Sequence, residues 1–100
     1  MALIEGEMEE LIAASVDKYL DSIGGGFRSI FYWSLENRAG IKRIEIADRP
    51  VEFVEYLDKM FPSGAFMIRE EIIEMISTDL QIPRINGDLA EMIKFAARSR

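Results

Sequence analysis

Apolar residues return at intervals of three and four in five successive stretches of this chain, a spacing that lines them along one side of an α-helix. From Leu3 to Ile23 the series is Ile4, Met8, Leu11, Ile12, Val16, Tyr19, Leu20 and Ile23, which predicts one long amphipathic helix. Glu5, Glu7, Glu9 and Glu10 occupy its first turns, where negative charge complements the helix dipole, and Gly24-Gly25-Gly26 supplies a left-handed exit. A second helix, about Phe27 to Asn37, carries Phe27, Phe31, Tyr32 and Trp33, four of the chain's ten aromatic residues. At ~100° per residue Phe27, Ile30, Phe31, Ser34 and Leu35 share a face, Ser29 and Glu36 lie opposite, and Tyr32 and Trp33 fall on the flanks. This is the expected central helix, on which the others pack.

Beyond Gly40 the stretch Ile41 to Ile46 alternates apolar and charged residues. A lone strand has no partner here, so it reads as an extended or one-turn connector with Ile41, Ile44 and Ile46 dipping into the core. Asp48 is placed to cap a third helix with Pro50 in its first turn, where Val51, Phe53, Val54, Leu57, Met60 and Phe61 face inward and Glu52, Glu55 and Lys59 face water. Pro62-Ser63-Gly64 marks a turn, with Ser63 as the cap of a fourth helix from about Ala65 to Leu80. Its apolar arc (Ala65, Phe66, Ile68, Ile72, Ile73, Met75, Ile76, Leu80) exceeds half the circumference, which predicts cover on two sides; Arg69 projects into that arc and needs an acid or a route to water. After Pro83, Asn86 or Asp88 opens a last helix to about Arg98, with Leu89, Met92, Ile93 and Ala96 on one side. Five helices without a sheet make an all-α single-domain bundle of residues 1–100.

Charge and composition narrow the function. Eighteen acidic and twelve basic residues give a net charge of −6, which repels a phosphate backbone and argues against nucleic acid. Residues 1–23 (six acids, one base) and 51–82 (seven acids, two bases) each sum to −5, whereas 24–50 (five bases, three acids) and 83–100 (four bases, two acids) each sum to +2. There is no cysteine for a disulfide framework or thiolate site. Acidic residues precede the first apolar positions and no apolar run nears the ~20 residues of a membrane span, so a soluble cytoplasmic protein with no signal peptide and no membrane association is expected.

Histidine is absent, which removes Ser-His-Asp triads, histidine-ligated zinc and Glu-x-x-His di-iron sites together. The triple glycine lacks the lysine and preceding strand of a phosphate loop. Glu70, Glu71 and Glu74 match the Glu-Glu-x-x-Glu with which all-α nucleoside triphosphate pyrophosphatases hold magnesium, and carboxylates are suitable ligands for that ion. They fall opposite Ile68, Ile72 and Ile76, however, and the family's second element, Glu-x-x-Asp, is missing, so a solvated face is the preferred reading and a magnesium-dependent hydrolase the alternative. Arg38, Lys42, Arg43 and Arg49 cluster around the connector, interleaved with Glu36, Glu45 and Asp48, while the helices that follow are too acidic for a DNA-reading element. Methionines 8, 60, 67, 75 and 92, at helical spacing, read as core filler. No catalytic residue and no cofactor is expected.

Residues 31–80 carry a further pattern: Tyr32-Trp33-Ser34-Leu35-Glu36, Ala39-Gly40-Ile41, Ile46-Ala47-Asp48-Arg49-Pro50-Val51-Glu52-Phe53, Leu57, Phe61, Gly64-Ala65 and the run Ile68 to Leu80. It resembles the small archaeal output-domain family named after Nitrosopumilus, in its aromatic-x-x-Leu-Glu helix, Gly-Ile connector, Pro-x-x-Phe helix and Phe-x-x-Gly-Ala helix start. The resemblance covers about half the chain and implies an all-α effector or interaction module attached to archaeal signalling, without catalytic residues. Hydrophobic residues make up 49% of the chain, and two helices have apolar arcs wider than a one-sided core requires. Such a surplus marks an interface, and a homo-oligomer, at its simplest a dimer, is expected to meet through Tyr32, Trp33, Met92 and Phe95.

Overall fold

The computed structural model describes residues 6–99; the expected helix start at Leu3, with Ile4 and Glu5 in its first turns, lies outside them. Five α-helices follow in order: α1 Glu7–Ile23, α2 Phe27–Ser34, α3 Pro50–Met60, α4 Ala65–Leu80 and α5 Leu89–Arg98. No strand occurs among the described residues. A single π-helical turn, Leu35–Ala39, prolongs α2, and one 3₁₀ turn, Arg43–Glu45, forms the connector. The radius of gyration, 12.7 Å, is that of one domain of 100 residues (about 13 Å). The molecule is an all-α bundle.

The left-handed residue of the glycine triplet is Gly26 (φ 81°), which starts α2, while Gly24 is extended. At the far end of the π turn, Gly40 (φ 68°) lets its own N–H reach Glu36 O at 3.1 Å and that of Ile41 reach Leu35 O at 3.3 Å. Arg49 then donates to the Gly40 carbonyl at 2.6 Å, fastening the start of α3 to the end of α2. Pro50 stands at the head of α3 as expected, but neither Asp48 nor Ser63 caps a helix: the flanking positions are Arg49 and Gly64, without a side-chain cap. Asp88 does cap α5, its carboxylate accepting from Glu91 N at 3.2 Å.

Phe31 holds the centre. Its ring lies edge-on to Tyr32, Phe53 and Tyr56 at 5.7, 6.3 and 5.9 Å and tilted against Phe27 at 6.2 Å. Around it Ile12 and Leu20 of α1, Leu57 of α3, Ile72, Ile73 and Ile76 of α4, Leu89 of α5, and Ile41 and Ile46 of the connector are fully buried. α4 is covered by α1, α5 and α3, which accounts for its wide apolar arc, and Arg69 escapes that arc by pairing with Asp58 of α3. Six residues placed on apolar faces lie outside: Leu11, Ile23, Ile30, Ile44, Val51 and Phe66 are all exposed. Ile30 sits ~85° from the middle of the arc that α2 buries through Phe27, Phe31, Ser34 and Leu35, beyond the reach of α1 and α3.

Candidate functional site

The acidic triplet of α4 does not form an open carboxylate cage. Arg84, in the loop after α4, donates to both Glu70 and Glu74, and these hydrogen bonds, Glu70's first, hold its pKa above the usual arginine value. Glu71 is exposed beside them. A guanidinium therefore sits where a metal would have to approach, and no group of three acids is arranged around a metal position among the described residues.

The basic cluster of the connector is likewise divided. Arg49 is bound to Glu52 at 2.8 and 2.9 Å, and Arg43 is drawn inward to α1. Only Arg38 and Lys42 of the four keep side chains without an ion pair among the described residues. Two free cations are a small footprint for a polyanion.

Arg43 reaches Asp17, a buried carboxylate on α1 that sequence spacing alone did not single out. Its Nε lies 3.0 and 3.1 Å from the two Asp17 oxygens and its Nη2 lies 2.6 Å from Oδ2. The same guanidinium forks onto Glu10 at 2.8 and 2.9 Å. Tyr32 donates its phenol to Asp17 at 2.7 Å, and Arg28 approaches at 3.3 Å. Burial alone would raise the Asp17 pKa, but hydrogen bonds from Arg43 and Tyr32 and the charges of Arg43 and Arg28 outweigh it and hold it below the ordinary aspartate value. Burial, then the hydrogen bond to Asp17, pushes the Tyr32 phenol far above its usual range. Both partners are locked in their structural protonation states, which suits a clamp between α1, α2 and the connector and not proton transfer.

Of the residues expected at an interface, Trp33 is 64% exposed, whereas Met92 is fully buried in the chain's own core and cannot touch a second copy. Tyr32 is half-buried and tied to Asp17; Phe95 is half-buried against the core. α2 instead offers Ile30 beside Trp33, also 64% exposed and three residues away on the same helix. A second apolar pair, Phe66 and Met67, stands exposed at the start of α4, where Phe66 edges a hollow of about 240 Å³.

Next to α2 a groove of about 460 Å³ opens between the π-helical turn (Arg38, Ala39) and α3 (Glu52, Glu55, Tyr56, Lys59, Met60). Tyr56 turns its hydroxyl away from the groove to bond Ser34 in the interior. Arg38, Glu55 and Lys59 form no ion pair among the described residues. Among the described residues every fully buried side-chain nitrogen or oxygen has a hydrogen-bond partner. The polar interior is thus complete, and the unused chemistry lies on the surface: two apolar pairs and one groove with charged walls.

No protein family matches the chain, and neither a curated protein nor a solved structure does so. The class is the one the helices define, a small all-α single-domain bundle. No helix among the described residues is long and apolar enough to cross a membrane.

Proposed function

We propose that this protein is a non-enzymatic helical interaction module that associates with copies of itself. The observation that carries the reading is the outer face of α2, where Ile30 and Trp33 each leave 64% of their surface in water. Large apolar side chains grouped on one helix face are the mark of a contact surface. Two of the three acids weighed as magnesium ligands, Glu70 and Glu74, are held by Arg84, as Asp17 and Glu10 are by Arg43. The likeness of residues 31–80 to archaeal output domains extends the reading to signalling, with the exposed helix face as the effector.

Sedimentation velocity over a range of micromolar concentrations tests it. A weight-average mass that climbs above the 11.4 kDa of one chain is expected. A single monomeric species throughout would falsify the reading.

A further inference from the structure

We infer that Asn86 is a site of spontaneous covalent modification, at which the backbone nitrogen of Gly87 displaces the side-chain amide as ammonia and leaves a mixture of aspartate and isoaspartate. The inference is independent of self-association.

Asn86 and Gly87 form a bend between two anchors. On one side Ile85 packs against the core, and on the other Leu89, the first residue of α5, is fully buried. Asn86, Gly87 and Asp88 between them are exposed and border the hollow of about 240 Å³ that Phe66 edges. Neither the Asn86 carboxamide nor the Gly87 N–H has a hydrogen-bond partner among the described residues. An asparagine side chain reaches for neighbouring backbone wherever helix or sheet does not claim it. Glycine adds no Cβ to obstruct that approach and leaves the chain free to turn into it.

The chain's other asparagine meets none of these conditions. Asn37 lies in the π-helical turn, its Nδ2 donates to Trp33 O at 2.8 Å, and the residue after it is Arg38.

The step balances without an oxidant. Gly87 N gives its proton to hydroxide and attacks Asn86 Cγ; the N–Cγ bond forms, the Cγ–Nδ2 bond breaks, and Nδ2 leaves as ammonia with a proton taken from water. One water then opens the five-membered imide at either carbonyl. Breaking the bond from Gly87 N to Cγ gives aspartate in the original chain. Breaking the bond from Gly87 N to the Asn86 main-chain carbon gives isoaspartate, with the main chain routed through Cγ and one methylene longer.

The two products part at α5. Its cap, Asp88, accepts from Glu91 N at 3.2 Å, and an ideal Cβ on Gly87 would lie 3.1 Å from Glu91 Cβ, so the bend is fitted closely to the first turn. An extra methylene between Ile85 and Asp88 pushes the cap out of register. A new aspartate keeps the path of the chain and adds negative charge ahead of a helix N-terminus, where the dipole favours it. Isoaspartate therefore loosens α5, and aspartate does not.

The experiment is incubation of the full chain at physiological temperature, at neutral and mildly alkaline pH, followed by cleavage after lysine and arginine and mass spectrometry. Asn86 is the one asparagine of peptide 85–94 and Asn37 that of peptide 29–38, and neither peptide holds glutamine. Peptide 85–94 is expected to gain one mass unit, faster at the higher pH because the attacking nitrogen must lose its proton, while 29–38 stays unchanged. A carboxyl methyltransferase specific for isoaspartate should label the aged peptide 85–94. Asn86→Gln, whose amide would need a six-membered ring, should keep its mass. Asn86→Asp should melt near the wild-type temperature, and the isoaspartate form, separated by chromatography, below it. No mass gain in the folded chain overturns the inference, and conversion of the urea-unfolded chain alongside would identify the fold as the shield. An equal gain at Asn37, a gain in Asn86→Gln, or a gain that takes no methyl label overturns it as well. An isoaspartate form that melts with the wild type overturns the consequence for α5.

Discussion

Asp17 gathers a phenol and two guanidinium groups around one carboxylate, and its effect on stability has a definite sign. Its folded pKa lies below that of an unfolded aspartate, about 3.9. Its contribution is therefore fully present above that pH and is lost as the pH falls through the lower, folded value. Glu10, also lowered through its hydrogen bonds with Arg43, acts in the same direction. Asp17→Asn is expected to cost about 2 kcal/mol at neutral pH. It should also flatten the decline of melting temperature in acid; thermal melts at neutral and acid pH measure both, and a variant as acid-sensitive as wild type would contradict the role given to this carboxylate. None of this cluster was legible in the sequence. The partners of Asp17 stand 11, 15 and 26 positions away, and local spacing carries no information on contacts that only the closed fold creates.

The helices themselves were legible, because each is written in a run of neighbours. The end of α1 at Ile23 and the span of α4 from Ala65 to Leu80 lie where periodicity set them, and of the two caps open to α5, Asn86 and Asp88, the structure uses Asp88. What periodicity misjudged was cover. An apolar arc states how much surface an element would bury, but its neighbours decide how much is buried, and so Val51, Phe66, Ile30 and Ile44 remain outside. Local geometry at helix ends was also hidden. α4 closes with Gln81 in the left-handed region (φ 55°), where Ile82 N reaches Ser77 O at 3.1 Å and Ser77 Oγ returns a bond to Ile82 O at 2.7 Å. A side chain is strained there and glycine is not, so Gln81→Gly should raise stability by about 0.5–1 kcal/mol after the added freedom of the unfolded chain. A higher urea midpoint with unchanged slope is the expected result.

At the scale of the whole molecule one ring joins α2 to α3. Phe31 touches aromatic residues of α2 and α3 and is fully buried at their junction. Phe31→Ala should remove about 3–5 kcal/mol, a large share of the roughly 5–15 kcal/mol that holds a domain together. The expected outcome in calorimetry is a broad, low-enthalpy transition, and a sharp transition near the wild-type temperature would show that the centre lies elsewhere. The expectation that α2 is the central helix on which the others pack is not met: α4, set against α1, α5 and α3, holds that place, and α2 packs chiefly on α1. At Phe27–Ser34 it is also shorter than the span to Asn37, the remainder being the π turn.

That core contains no indole. The chain's single tryptophan is Trp33, on the outside of α2. Its fluorescence consequently reports on the surface and is nearly blind to the interior: dilute protein should emit at the long wavelengths of a hydrated ring, and crowding the solution should move the maximum toward the blue as neighbouring molecules exclude water from it. The fold thus carries an optical test of the proposed self-association, readable without a label.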